Sequence, residues 1–185
     1  MMVKEPQAGR VKTRLGRDIG MTNAAWWFRH QTKRLIREVG MDPRWQLRLS
    51  VSPAPHALHS RAWPMGIPRD PQVKGDLGAR MRHVFDASPS GPVVLVGGDI
   101  PGITPAIIRD AFDKLRDHDC VFGPAEDGGF WLAGMRRVRP LPVDLFNGVR
   151  WSCADTLQDT LGTLGDASVA FAATLRDVDT ASDLS

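Results

Sequence analysis

The sequence predicts an α/β fold built on a mostly parallel sheet. Three observations carry that expectation. Helical and strand-like segments alternate along all 185 residues, the run from Val93 to Val96 is apolar without a break, as in a strand covered on both faces, and strand-like stretches stand near both ends of the chain. With 42% hydrophobic residues the chain is long enough for one sizeable core, so a single domain over 1–185 is expected.

The elements follow in order. Met1 to Lys4 reads as the end of a strand, and 5–20 as a turn-rich segment. A helix capped near Thr22 runs to Gly40, with Phe28, Leu35, Ile36 and Val39 on its inner face at helical spacing. Trp45, Leu47, Leu49 and Val51 alternate with polar residues as a half-buried strand does, and a Pro-rich loop over 53–71 follows. Leu77, Met81, Val84 and Phe85 mark a helix, and 93–96 a mid-sheet strand. Thr104 and Pro105 start another helix that faces Ile107, Ile108, Ala111, Phe112 and Leu115 inward. Cys120 to Phe122 and Phe130 to Ala133 read as strands. Ser152 is expected to cap a helix carrying Leu157, Leu161 and Leu164, and the last strands are 169–172 and 175–178.

Composition narrows the ligand. The 24 Lys and Arg against 21 Asp and Glu leave a net charge of +3, which favours an anion without demanding a polyanion. Lys4, Arg10, Lys12, Arg14 and Arg17 crowd one stretch, so phosphate is the ligand to consider. Cys120 and Cys153 form no CxxC or Cys/His cluster, which argues against a zinc site or a disulfide framework. No apolar run suits a signal peptide or a membrane span, so a cytoplasmic protein with no membrane partner is expected.

Four places can carry chemistry. In Pro6-Gln7-Ala8-Gly9-Arg10-Val11-Lys12-Thr13-Arg14, directly after the first strand, glycine permits close approach of the backbone to a ligand while Lys and Arg supply charge. Gly9 and Lys12 are two residues too far apart for a Walker A loop, and a solvated basic loop is the alternative. Gly97-Gly98-Asp99-Ile100-Pro101 places a carboxylate at the C-terminal end of the apolar strand, where open α/β sheets bind ligands and where Mg²⁺ could find one protein oxygen. The alternative is a turn cap. Pro124-Ala125-Glu126-Asp127-Gly128-Gly129 offers backbone N–H groups and two acids, or simply a polar turn. In Asp177-Val178-Asp179-Thr180, alternation points both aspartates to one side, where one can complete a metal site or start a short final helix. His56 and His59 have a metal-like spacing but no accompanying ligands, and Trp26 and Trp27 cannot both face a core.

Taken together and in order, these segments resemble the transferase 1 family associated with radical-SAM and selenodomain proteins, of the GT-A-like nucleotide-diphospho-sugar transferase superfamily. The carriers are Lys4-Glu5-Pro6 with Gly9 to Leu15, Gly75-Asp76-Leu77-Gly78 with Arg80-Met81, Gly98-Asp99-Ile100-Pro101, Gly123 to Gly129 and Asp177-Val178-Asp179-Thr180. The first loop is also similar to that of phospholactate guanylyltransferase. The resemblance implies a Rossmann-like three-layer α/β/α sandwich and a metal-dependent transferase using a nucleotide or nucleotide-sugar donor and an unidentified small-molecule acceptor.

In that reading Gly9, Arg10, Lys12 and Arg14 bind the nucleotide's phosphates, and Asp99 and Asp179 ligate Mg²⁺ or Mn²⁺, with Asp177 in reserve. Lys12, Asp99 and Asp127 act in catalysis, and Asp127, Gly128 and Gly129 line the acceptor side. Nucleotidyl transfer is favoured over glycosyl transfer by the charge of the first loop. Relatives usually carry more apolar residues before the Lys-x-Pro motif and a proline where Ala8 stands. An inactive truncated relative and a non-catalytic nucleotide-binding module are therefore the alternatives, and a nucleic-acid-binding protein ranks last.

Overall fold

The computed structural model of the chain describes residues 1–184, with Leu58 described by its backbone alone. They form two compact units: Met1–Gln72 with Gly97–Pro105 and Asp177–Ser185, and Val73–Val96 with Ala106–Arg176.

The first unit is built on a parallel ladder of β1 (Met2–Lys4), β2 (Leu49–Ser52) and β3 (Arg69–Pro71), in that order, with Val3 opposite Val51 and Val51 opposite Pro71. Val3, Leu49 and Val51 are buried, as a strand covered on its faces requires. Gly97 adds a parallel bridge to Met2. Within the expected turn-rich stretch lies a helix, α1 (Thr13–Ile19), which stops at Gly20, whose φ of 89° breaks the helical path before α2 (Met21–Gly40) begins.

Ala24, Phe28, Thr32, Leu35, Ile36 and Val39 repeat every three or four residues along α2 and are buried, which places one stripe of that helix on the core. Of the adjacent tryptophans, Trp27 packs against Leu15, Ala24 and Val178, whereas Trp26 is exposed. The strand expected from Trp45 starts only at Leu49, because the Trp45 indole N–H turns back to the carbonyl of Val39. The Pro-rich loop holds a short α3 (His56–His59) as well as β3.

The second unit carries a ladder in the order β4-β6-β5-β7, formed by β4 (Val93–Val96), β5 (Cys120–Pro124), β6 (Phe130–Met135) and β7 (Val169–Phe171). β4 stands first in this ladder, and Gly97, the residue that continues it, carries the parallel bridge to Met2. β5 and β6 are joined by residues 125–129, a connection too short for a crossover, so they pair antiparallel. β7 lies parallel to β5. Three of the five named pairings in the two ladders are parallel.

Three helices complete this unit: α4 (Leu77–Ala87), α5 (Pro105–Lys114), whose first residue is counted with the first unit, and α6 (Thr156–Gly162). The Asp76 carboxylate accepts from the Ala79 N–H at 2.8 Å and caps α4. Ser152 does not cap α6: its φ of 61° is left-handed, and the helix starts four residues later. Phe85, Phe122, Leu132 and Met135 fill the core, beside a ring cluster of Phe130, Phe146 and Trp151.

The expected strand at 175–178 is reduced to a bridge between Leu175 and Ala125. The backbone explains why: the Val178 N–H is taken by the Asp177 carboxylate, and those of Asp179 and Thr180 by Asp183, leading into a 3-10 helix at Ala181–Leu184. Among the described residues no helix is long and apolar enough to cross a membrane.

Candidate functional site

The first unit gathers its charged groups at the carboxyl end of β1. From Pro6 the chain turns through Gly9, where a side chain would meet nothing within 4 Å but φ is 75°, so glycine serves the turn rather than the space. Val11 is buried and anchors the loop. Lys12 follows in the left-handed region, with φ 44° and ψ 50°, immediately before α1. That conformation costs a non-glycine residue on the order of 1–2 kcal/mol. It is held by the Gly16 N–H, which donates to the Lys12 carbonyl at 2.8 Å, and by what the Lys12 side chain reaches.

The Lys12 ammonium lies 2.8 Å from Asp99 Oδ2 and 2.5 Å from Asp177 Oδ1. Its side chain is 6% exposed, those of the two aspartates 27% and 30%, so all three are largely out of solvent. Beside it, Arg14 donates to Asp179 Oδ2 at 2.5 Å, on the surface. The pairing repeats because Val178 is buried against Leu15 and Ala24, which turns the flanking aspartates to one side, as alternation predicts. Asp177 meets Lys12 and Asp179 meets Arg14.

Asp99 is positioned from below. A Cβ on Gly98 would stand 2.9 Å from Val3 Cγ1 and 3.0 Å from Thr32 Cγ2, so only glycine lets this segment settle between β1 and α2. Gln31 adds a hydrogen bond to the Ile100 carbonyl at 3.4 Å.

Electrostatically the cluster is short of positive charge. One ammonium faces two carboxylates, leaving a net charge of −1. Burial works to lower the Lys12 pKa, but Asp99 and then Asp177 outweigh it and hold the ammonium above its ordinary range. Asp177 is also raised, first by burial and then by the charge of Asp99, against the pull of Lys12. Both partners move upward because a single cation is divided between two anions.

Two carboxylates from different segments that already share one cation make a hard-oxygen donor pair, and the chemistry of that pair fits Mg²⁺ or Mn²⁺. Among the described residues no group of three or more His, Cys, Asp and Glu is arranged to hold a metal, His56 and His59 included. A divalent ion on these carboxylates would therefore take its remaining ligands from phosphates and water.

Asp127, Gly128 and Gly129 belong to the second unit, in the turn between β5 and β6. The Asp127 carboxylate accepts from the Gly129 N–H at 2.9 Å. At Gly128, with φ 84°, a Cβ would come within 2.1 Å of the Ala154 carbonyl oxygen. Glu126 faces Arg176 at 3.8 Å. Arg10 is exposed on the first loop.

Two features escape a reading of the sequence. Glu5 Oε2 and Thr32 Oγ1 are buried with no hydrogen-bond partner among the described residues. Glu5 lies inside the first motif, a signal that was there to use, whereas Thr32 is masked by its apolar neighbours on the inner face of α2.

Comparison with known proteins bears on the fold. The family profile DUF2064, described as an uncharacterized protein conserved in bacteria, matches residues 35–153. No curated protein matches the chain. A crystal structure from Desulfovibrio desulfuricans, provisionally named a nucleotide-diphospho-sugar transferase, shares 31% identity over 99% of this chain and 82% of its own, with a TM-score of 0.83. The expected nucleotide-diphospho-sugar transferase type of α/β fold is thereby met. The Rv0371c protein of Mycobacterium tuberculosis, solved in complex with manganese, is 23% identical over 99% of this chain and 94% of its own, with a TM-score of 0.56, a likeness of fold alone.

Proposed function

Because the chain belongs to the DUF2064 family, and because Lys12 bridges Asp99 and Asp177 at the carboxyl end of β1, we propose that it is a metal-dependent transferase acting on a nucleotide or nucleotide-sugar donor. The observation that carries the reading is that bridge. A loop with three cations within five residues, Arg10, Lys12 and Arg14, meets carboxylates suited to a hard cation, the two things a nucleotide diphosphate with its metal requires. The first structural relative's provisional name and the manganese in the more distant one support the same reading.

In the favoured version the reaction is nucleotidyl transfer. An acceptor oxygen attacks the α-phosphorus, the bond from that phosphorus to the bridging oxygen breaks, and pyrophosphate leaves with the electron pair. Lys12 and Arg14 exchange their aspartates for phosphate oxygens and hold the negative charge that builds on the leaving group. Asp99, with Asp179 or Asp177, would hold the cation. When bound, Mg²⁺ or Mn²⁺ supplies neutralisation of the phosphates. Asp127, Gly128 and Gly129 are assigned to the acceptor by the family resemblance. The finer likeness to the radical-SAM-associated transferase 1 branch belongs to the same proposal.

The test is a thermal-shift panel of nucleoside triphosphates and nucleotide sugars, with and without Mg²⁺ or Mn²⁺, on wild type and Asp99→Ala. A ligand specific to the folded state raises its apparent stability. One nucleotide class should raise the melting temperature in the presence of metal, and Asp99→Ala should abolish that shift. An undiminished shift in the variant would remove Asp99 from the site.

A further inference from the structure

We propose that the outer face of α2 is a docking surface for an anionic lipid bilayer, which holds the protein peripherally with this helix along the membrane plane. The inference stands apart from the transferase reading and rests on different residues.

α2 spends its inner stripe on the core, from Ala24 to Val39. At spacings of three and four on the opposite side lie Trp26, Arg29, His30, Lys33 and Arg37, one continuous ridge of a helix about 30 Å long. The helix contains four Lys and Arg and a single acid, Glu38, which is taken by Arg34. Four cations less one anion is +3, the same as the net charge of the whole chain. Arg29, Lys33 and Arg37 have no carboxylate within ion-pair distance among the described residues, so their charge is open to an outside partner. Their i,i+4 series is like-charged, an arrangement that costs a helix stability until an anionic surface offsets it. The Lys33 pKa is lowered, by burial first and then by the charges of Arg29 and Arg37.

The amino-terminal end of this cationic ridge holds an indole. Trp26 is 63% exposed, its ring centroid 3.9 Å from that of His30, whose Nδ1 reaches the Trp26 carbonyl at 2.8 Å. An indole among Lys and Arg matches the headgroup level of a bilayer, where an apolar ring with one N–H is at home and each basic residue adds attraction to anionic lipid. Met41, 82% exposed just past the helix, adds a second apolar contact at the other end.

A convex ridge suits a flat surface. Single-stranded nucleic acid is held in grooves with a succession of aromatic platforms, and here there is one ring with one face already covered by His30. Peripheral attachment departs from the expectation of no membrane partner, which rests on the lack of an apolar run suited to a signal peptide or a membrane span.

The experiment is co-sedimentation of the full chain with vesicles of phosphatidylcholine alone or mixed in equal parts with phosphatidylglycerol, at low and raised salt. Wild type is expected to bind the anionic vesicles only, and salt to release it. The triple variant Arg29→Gln, Lys33→Gln, Arg37→Gln should bind about a hundredfold more weakly, at roughly fivefold per basic residue. Trp26→Ala should weaken binding without changing its salt dependence. A control that removes Arg109 and Arg116, exposed on and after α5, should bind as wild type does. Wild-type binding measured against salt tests the idea without any variant. Absence of wild-type binding, equal binding to neutral vesicles, or a triple variant no weaker than the control would overturn the proposal. So would release from the vesicles by duplex DNA at matched phosphate, which would assign the face to nucleic acid.

Discussion

Replacing Lys12 with methionine removes the one cation shared by Asp99 and Asp177 while keeping an unbranched side chain only one atom shorter on the same αL backbone. Each contact, at 2.8 and 2.5 Å, has a gross attraction on the order of 6 kcal/mol at an effective dielectric near 20. Residual exposure of the two aspartates, at 27% and 30%, and their mutual repulsion reduce the net value. Removal of one partner from a largely buried pair costs about 3–5 kcal/mol, and for this partly solvated cluster we expect about 3 kcal/mol. For a chain of this size that is a fall in melting temperature of roughly 6–12 °C.

The pH dependence is diagnostic. Without Lys12, one of the two carboxylates keeps its proton in the folded state, so its folded pKa rises above the unfolded value. Stability is then lost as pH rises from the ordinary carboxylate range through the raised value, and the deficit is smallest in mild acid and complete at neutrality. Thermal melts of both proteins across that range are the assay. Manganese should offset the loss in Lys12→Met and act less on wild type, where the ammonium competes for the same oxygens. At a free concentration a hundred times its dissociation constant, the ion contributes about 2.7 kcal/mol. Equal melting of variant and wild type at neutrality, or a deficit that does not change with pH, would refute the assignment of Lys12 as the counter-ion.

Two further outcomes follow from packing and titration. Gly98→Ala should destabilise by about 1–3 kcal/mol, since its Cβ would press on Val3 and Thr32. Thr32→Ser, which removes the Cγ2 in the way, should recover part of the loss, and a Gly98→Ala protein that melts with wild type would rule out the close fit. Ser168→Ala should make unfolding by acid begin at higher pH. The Asp119 carboxyl is held below its usual range by the Ser168 N–H and then by its hydroxyl. Its stabilisation is therefore present above the carboxylate range and lost as pH falls through the folded value. The melting difference between Ser168→Ala and wild type should be largest at neutrality and vanish in strong acid.

The place of Asp99 was legible because an apolar strand followed by two glycines sets the carboxylate at that strand's carboxyl end. The side shared by Asp177 and Asp179 was legible too, through the alternation about Val178. Which cation each would meet was not, because that depends on the αL turn at Lys12, and nothing in the composition of the first loop announces a left-handed lysine. α1 was missed for a related reason. Thr13–Ile19 contains Gly16 and three basic or acidic residues with little apolar period, and its helix is stabilised by Leu15 packing on Ala24 and Val178 rather than by local preference. The strand at 175–178 was over-read, since its apolar residues could not disclose that nearby carboxylates would occupy its N–H groups.

Lys12 and Asp177 are separated by 165 residues, as are Arg14 and Asp179, and this separation dictates an order of events during synthesis. At about 5–20 residues per second, the first loop waits roughly ten to thirty seconds after emerging before Asp177 and Asp179 exist, whereas Asp99 is there for Lys12 in about half that time. Until then Arg14 is a bare cation on the nascent chain and Lys12 has Asp99 alone, and the parallel pairing of β1 with β2 proceeds without the later aspartates. The segment from Asp177 to Asp179 therefore acts as a clasp that closes on the first loop after the strands of its own ladder have been made. Cleavage ahead of Asp177 would leave the second unit's ladder whole while stripping Arg14 of its partner and leaving Lys12 to Asp99 alone.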